Sequence, residues 1–409
     1  MAGGWMLGIA SLTGFAATLA VVVGLLIRVS SLSADREFRA MARPANLDDF
    51  PLVTIVVPAR NEEHNIGSCL ESLLALDYPR FEILVVDDHS TDRTAEIVRE
   101  TIGGHALTKD MRLILCDDDP CGREAAWICG KSHALWRGAQ EAKGAWILFV
   151  DADTRQKPDT LWRALALARR HDLRALSLTG VSVIPGIWGE VLEAVVYPAI
   201  FLAISWRRVN DPDDPAAWMN GQFVLYERTA YFSVDGHHAV SGFASDDTAL
   251  AIHSKKRHVR LLFLPVTSAY ESRDYAGLKE TFRGWVRRLA VGGARLRLPR
   301  RSYAIEAGAL FAVGVWPVLA LAAGLMGSFG GRPILGVSFS AWALTQLGIV
   351  ILVQGISRAM MQKSAWPAVL APLGAALGIG VVVMGYRVRF VKRSIEYRGR
   401  AVAVNDEVD

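Results

Sequence analysis

Apolar positions along the chain fall into two kinds of run. In the middle they are short: Val53–Val57, Phe81–Val86, Arg112–Cys116 and Trp146–Val150 read as strands, the first ending at Pro58. Between them, apolar residues recur at helical spacing: Ile66, Cys69, Leu70, Leu73 and Leu74; then Ala95, Val98 and Ile102; then Ala134, Leu135, Gly138 and Ala142. Buried strands alternating with one-faced helices predict a doubly wound α/β sheet. Such sheets bind ligands beyond the carboxyl ends of their strands.

The other runs are long. Gly4–Ile27 holds no charged residue, and Ala307–Gly330, Ile334–Ile356 and Ala365–Tyr386 are similar. A helix of about 24 residues reaches ~36 Å, enough to cross a ~30 Å hydrocarbon core. The first run lacks a basic leader and is long for a signal peptide, so it reads as an anchor. Expected segments are therefore 1–30, a transmembrane helix; 46–301, a catalytic domain; 302–388, transmembrane helices; and 389–409, a basic tail. Arg28, Arg36, Arg39 and Arg43 follow the first run, and Arg283, Arg287, Arg288, Arg295, Arg297, Arg300 and Arg301 precede the second. Basic residues stay cytoplasmic. The middle domain is thus expected on the cytoplasmic face of an inner, multi-pass membrane protein. Three C-terminal crossings would put the Arg387–Arg400 tail outside; either one run is re-entrant or the tail breaks the rule.

Composition agrees with this division. Of 409 residues, 52% are hydrophobic and 21% charged, which excludes a disordered chain. Net charge is only +4, with no long basic arm, so nucleic acid is not an expected partner. Cys69, Cys116, Cys121 and Cys129 form no C-x-x-C pair and read as reduced thiols.

Chemistry-bearing residues cluster at the predicted strand ends. Asp151 and Asp153 lie two apart after the fourth strand, so both side chains share a side if the strand continues. They form either a turn with a helix cap or a pair gathered by a hard divalent cation, Mg²⁺ or Mn²⁺, that in turn binds phosphate. Asp87 and Asp88 are either turn formers or acceptors for a nucleoside. Lys131 stands at a helix start, a poor place for a cation unless an anion is near. Asp246 and Asp247 precede a helix and are either its cap or a general base. Val191–Trp206 is either an interfacial, acceptor-lining helix or a core helix.

In order these are strand–PARNEE–helix, strand–VVDDHSTD–helix, GKSHAL, strand–VDAD, NGQFVLYERTAY, VDGHH and SDDTALA. The set resembles the family-2 glycosyltransferases over about Asp49–Arg288. The resemblance implies the GT-A fold, a mixed sheet, and inverting, metal-dependent sugar transfer. By it, Pro58, Ala59, Arg60, Asn61, Glu62, Asp87, Asp88, Lys131 and Asp151 would bind the nucleotide-sugar. Asp151 and Asp153 would hold Mg²⁺ or Mn²⁺. Asp247 would be the base, with Asp246 its neighbour where the family usually has Glu. Gln222, Trp285 and Arg287 would meet acceptor or diphosphate.

Processive synthases carry Q/R-x-x-R-W, whereas this chain has Arg283-Gly284-Trp285-Val286-Arg287-Arg288. That form looks more like enzymes acting on isoprenoid, carotenoid or other lipid alcohols. The expected donor is a UDP-sugar, the expected sugar glucose, and the expected acceptor a membrane lipid or isoprenoid. A polyprenyl phosphate acceptor and polysaccharide synthesis are the alternatives.

Overall fold

The computed structural model describes residues 34–46, 50–105, 110–116, 130–184, 186–192, 206–241, 243, 245–273, 277–295, 298–329, 333–360, 363–397 and 400–404. The expected N-terminal anchor, Cys121, Cys129 and most of Val191–Trp206 lie outside these residues. Two compact units emerge. One holds the described chain to Val183 and from 206 to 273; the other holds 184–192 and everything from 277 onward.

The first unit carries β1 (Val53–Ala59), α1 (Ile66–Leu74), β2 (Phe81–Asp87), α2 (Thr94–His105), β3 (Asp110–Leu115), α3 (Gly130–Gln140), β4 (Trp146–Val150), β5 (Thr154–Gln156), α4 (Thr160–Arg170), β6 (Ala175–Thr179), β7 (Val181–Val183), α5 (Trp206–Asn210), β8 (Phe223–Glu227), α6 (Arg228–Ser233), α7 (Asp246–Lys256), β9 (Leu261–Pro265) and β10 (Tyr270–Arg273). The main sheet runs β3-β2-β1-β4-β8-β6-β9, with β5-β10-β7 as a smaller sheet. β8 is antiparallel to both β4 and β6, while the strands from β3 to β4 are parallel. The predicted strand–helix order holds, and the sheet is mixed.

Alternation along each strand feeds two cores. Ile55, Val57, Ile83, Val85 and Leu148 pack against α1 and α4. Val56, Val86, Ile147 and Phe149 pack against α3 and α7. A sheet covered on both faces needs nearly continuous apolar strands, and β1 and β2 have that character apart from the paired Thr54 and Glu82. Gly138 lets α3 approach: a β-carbon there would sit 2.4 Å from Val56 Cγ1 and 3.0 Å from Val86 Cγ2. Gly138→Ala should therefore destabilise by about 1–3 kcal/mol, overriding the ~1 kcal/mol that alanine gains in a helix. Thermal melting of the purified variant checks this. Near the opposite, amino end of the sheet, buried Glu82 accepts from Thr54 Oγ1 at 2.6 Å and Lys143 N–H at 2.9 Å, so its charge is satisfied structurally.

The second unit contains α8 (Gly277–Arg295), α9 (Arg300–Leu310), α10 (Trp316–Phe329), α11 (Pro333–Met360), α12 (Ala371–Arg387) and the hairpin β11 (Ser394–Tyr397) and β12 (Arg400–Ala403). Among the described residues, three helical stretches are long and apolar enough to cross a membrane: Arg300–Met326, Val337–Ile356 and Trp366–Lys392. They coincide with the three C-terminal runs. Small residues let them close up: a β-carbon on Gly314 would lie 2.2 Å from Ala375 Cβ. The expected boundary at Arg301 shifts to about Asp274, because α8 packs its Trp285, Val286 and Ala290 into one core with Val381 and Val388. Arg358, buried at the end of α11, donates to Ser364 O at 2.6 Å, to Glu190 O at 3.1 Å and to the Glu190 carboxylate, tying 187–192 into this unit.

Candidate functional site

Parallel pairing of β1 and β2, in register from Val53↔Phe81 to Ala59↔Asp87, sets the two following turns side by side. Asn61 (φ 53°) and His89 (φ 58°) both take the left-handed conformation, which Asn and His tolerate better than most residues. The turns then lock together. Thr91 N–H donates to Asn61 Oδ1 at 2.8 Å, and Asn61 N–H donates to Ser90 Oγ at 3.0 Å. Buried Asp88 accepts from Arg60 Nη1 at 3.2 Å and faces His89 Nδ1 at 3.1 Å; buried Asp87 accepts from the Ser90 hydroxyl. Glu62, also buried, accepts from Asn65 Nδ2 at 3.0 Å, while its N–H donates to Thr94 Oγ1 at 2.8 Å. Asn61, Glu62, Asp87 and Asp88 thus hold the double turn in shape, and Arg60 is the partly exposed cation beside it.

A second group gathers beyond β4. Lys131, in the first turn of α3, lies 2.5 Å from Asp151 Oδ1. β8 pairs antiparallel with β4, Val150 opposite Phe223, so the Asn220-Gly221-Gln222 turn stands next to Asp151. Gly221 N–H donates to Asp247 Oδ2 at 3.1 Å. A β-carbon on Gly221 would stand 3.3 Å from Lys131 Nζ and 3.5 Å from Asp247 Oδ2. Four distant chain segments, at 131, 151, 221 and 247, therefore meet around one point.

Asp247 Oδ1 accepts from Ser245 Oγ and Thr248 N–H, both at 2.7 Å. Asp246 opens α7 and is buried, with Ser132 Oγ 3.5 Å from its Oδ2. Burial pushes the Asp246 carboxyl up to about 6; the Lys131 charge opposes this, while Asp247 and Asp151 add to it. An acid whose folded pKa is raised is destabilising above its unfolded pKa, near 3.9, and the full cost is reached above the folded one. Asp246→Asn should then raise the melting temperature at pH 7 by the equivalent of roughly 1–3 kcal/mol, the gain fading as pH falls from 6 to 4. Melting curves across that range check it.

Several supporting residues carried no assigned role in the sequence. Asn220 Nδ2 donates to Tyr270 Oη at 3.0 Å and Thr179 Oγ1 at 3.2 Å, and its Oδ1 accepts from Gln222 N–H at 3.2 Å. This network fixes the turn that carries Gly221 and draws in Gln222, whose Oε1 is 3.4 Å from Tyr270 Oη. Cys69 Sγ reaches the Asp151 carbonyl at 3.7 Å, and Thr154 donates to the same oxygen from N–H at 3.1 Å and Oγ1 at 2.8 Å. Burial pushes the Cys69 thiol up, with Asp153 and Asp151 adding to it. His237 is buried with Nδ1 2.8 Å from Tyr231 Oη; burial, then the Lys131 charge, lowers its pKa to about 3, so it is neutral. Gly236 (φ 41°) precedes it, and a β-carbon there would strike Tyr231 Cζ at 2.2 Å. The VDGHH stretch was the available signal for this pair.

Trp285 corrects an expectation. It belongs to the second unit, where it is 1% exposed among Leu192, Val286 and Val381 with the Arg288 guanidinium 5.0 Å from its ring centre. A ring enclosed in that core presents no face for an acceptor to stack on. Arg287, also in that unit, is half-buried.

Asp151 and Asp153 supply hard carboxylate oxygens, the donors Mg²⁺ and Mn²⁺ prefer. Among the described residues no group of three or more His, Cys, Asp or Glu is placed to hold an ion alone. Two carboxylates are fewer ligands than such an ion takes, so an ion held there would have to complete its shell with water and phosphate oxygens.

Residues 54–193 match the family model described as glycosyl transferase family 2. The 4,4'-diaponeurosporenoate glycosyltransferase of Staphylococcus aureus strain USA300 is 28% identical over 298 residues, covering 67% of this chain and 70% of that protein. Among solved structures, a mannosyltransferase from Pyrobaculum calidifontis in complex with GDP-Man and Mn²⁺ aligns at 18% identity and TM-score 0.48, covering 90% of this chain and 98% of that one. S. aureus TarS aligns at 18% identity and TM-score 0.39, covering 87% and 60%.

Proposed function

We propose, from a chain that carries a family-2 glycosyltransferase domain over residues 54–193, that this enzyme moves a hexose, glucose by preference, from a UDP-sugar to a hydroxyl of a membrane isoprenoid or related lipid, with inversion. The observation that carries the reading is the meeting of Lys131, Asp151 and Asp247 around Gly221. It sets a cation for a diphosphate beside a carboxylate for an acceptor proton. The acceptor class is supported by the diaponeurosporenoate glycosyltransferase relative and by three helices able to cross a membrane.

In the reaction, the double turn after β1 and β2 receives the nucleoside, with Arg60 at its edge. Lys131 meets the diphosphate. Asp151 and Asp153 would hold Mg²⁺ or Mn²⁺, whose chemistry is to neutralise charge on the leaving diphosphate. Asp247 takes the acceptor's proton as the acceptor oxygen bonds to the anomeric carbon from the face opposite the departing diphosphate. Neutral His237 and the Asn220 network keep these groups in place. The catalytic unit works at the cytoplasmic face, where a lipid acceptor that cannot enter water is reached from the headgroup level.

The test is mass spectrometry of lipids from cells with and without the gene, joined to transfer from radiolabelled donors to the extracted lipid. A hexosylated lipid present only with the gene supports the reading; identical lipid profiles and no labelled product overturn it. The relative's name favours a second reading, in which the acceptor is a carboxylate. The product would then be a glycosyl ester, cleaved by mild alkali, whereas a glycoside survives.

A further inference from the structure

We infer that Lys131 is an internal cation that competes with the divalent metal for Asp151, so that metal and nucleotide bind this site cooperatively. The inference rests on the reading of Asp151 and Asp153 as the metal pair. It concerns the order of events before chemistry, which that reading leaves open.

The Lys131 ammonium is 2.5 Å from Asp151 Oδ1, and the two side chains are 26% and 24% exposed. A pair this short and partly withdrawn from water interacts more strongly than a surface ion pair. A metal ion approaching Asp151 must therefore break that pair or share the carboxylate with a like charge. Either course weakens binding of the metal alone.

The lysine's own position supplies the release. It lies in the first turn of α3, an eleven-residue helix starting at Gly130. The amino end of a helix is positive, so a cation there is held by an anion and not by the helix. In this structure Asp151 is one such anion. A diphosphate is a better one: it carries more charge, and the same helix end attracts it. When it arrives, Lys131 gains a new partner, and Asp151 becomes available to the metal. Gly221 keeps the ground between Lys131 Nζ and Asp247 free of side chain, so the lysine has room to turn. Coupling of this kind is reciprocal: the metal must strengthen nucleotide binding by the factor by which the nucleotide strengthens metal binding.

The experiment uses the full-length enzyme in nanodiscs, with Mn²⁺ affinity read by electron paramagnetic resonance, alone and with saturating UDP or GDP. Lys131→Met should bind Mn²⁺ alone more tightly than the unmodified enzyme, by roughly 5- to 150-fold, the usual range of coupling between sites. The further gain on adding nucleotide should shrink correspondingly. Lys131→Arg, which keeps the charge and presents a fork that matches a carboxylate, should bind Mn²⁺ alone no more tightly than the unmodified enzyme. If Lys131→Met binds Mn²⁺ alone no more tightly than the unmodified enzyme, the competition does not exist. If no protein binds Mn²⁺, with either nucleotide present, the metal pair itself is misassigned and the inference falls with it.

Discussion

Asp247→Asn should lower turnover by roughly 10²- to 10⁴-fold, the range a positioned general base supplies, while nucleotide binding stays within about twofold. The asparagine has nearly the shape of aspartate but cannot take a proton at neutral pH. It can still accept from Ser245 Oγ and Thr248 N–H, which both point at Oδ1. The other oxygen accepts from Gly221 N–H at 3.1 Å, and an amide nitrogen there would set donor against donor. A modest loss of melting temperature is therefore expected beside the kinetic loss. Turnover on the extracted lipid acceptor, measured with labelled donor, decides the role. Near-normal turnover would remove Asp247 as the base. It is also the outcome expected if the acceptor is a carboxylate, which needs no deprotonation, and the alkali lability of the product then separates these explanations.

Asp153→Ala should reduce transfer by about 10²- to 10³-fold, the cost of losing one group that stabilises transition-state charge. The fold should not suffer. The turn is held by backbone groups: Arg273 N–H donates to Asp153 O at 2.8 Å, and Thr154 N–H to Asp151 O at 3.1 Å. An alanine keeps both. Melting should shift by no more than the ~0.5 kcal/mol typical of partly exposed sites. Activity titrated with Mn²⁺ is the measurement. A variant that regains full turnover at high Mn²⁺ has lost only metal affinity; one with normal turnover at all concentrations would show that Asp153 is no ligand.

Strand and helix positions in the first unit were legible because burial on both sheet faces demands nearly continuous apolar runs. Val53–Ala59, Phe81–Asp87 and Trp146–Val150 satisfy that demand with little else. The strand-end acids were legible for a related reason: ionisable residues directly after such runs are the ones a parallel sheet delivers to its ligand edge. Asn220, Tyr270 and His237 were not. Polar residues of that kind occur throughout the chain, and Asn220 and Tyr270 find their partners far along it: Asn220 bonds to residues 179 and 270. His237 bonds to nearby Tyr231, but only the close turn at Gly236 brings them together. Trp285 was misread for the same reason. A tryptophan beside arginines has one appearance at a ligand, at an interface or in a core, and only packing against α12 distinguishes them.

The sequence by itself determined the local and periodic properties: which segments are strands, which helices are apolar enough for a membrane, and which acids stand at strand ends. These follow from side-chain chemistry acting over a few residues. Tertiary structure alone decided which of those acids share a site. It set Lys131 on Asp151 and Gly221 against Asp247, moved α8 into the second unit, and enclosed Trp285. Such pairings depend on β8 running antiparallel beside β4 and on helices meeting across the sheet, and no spacing along the chain encodes the distance between segments on separate elements.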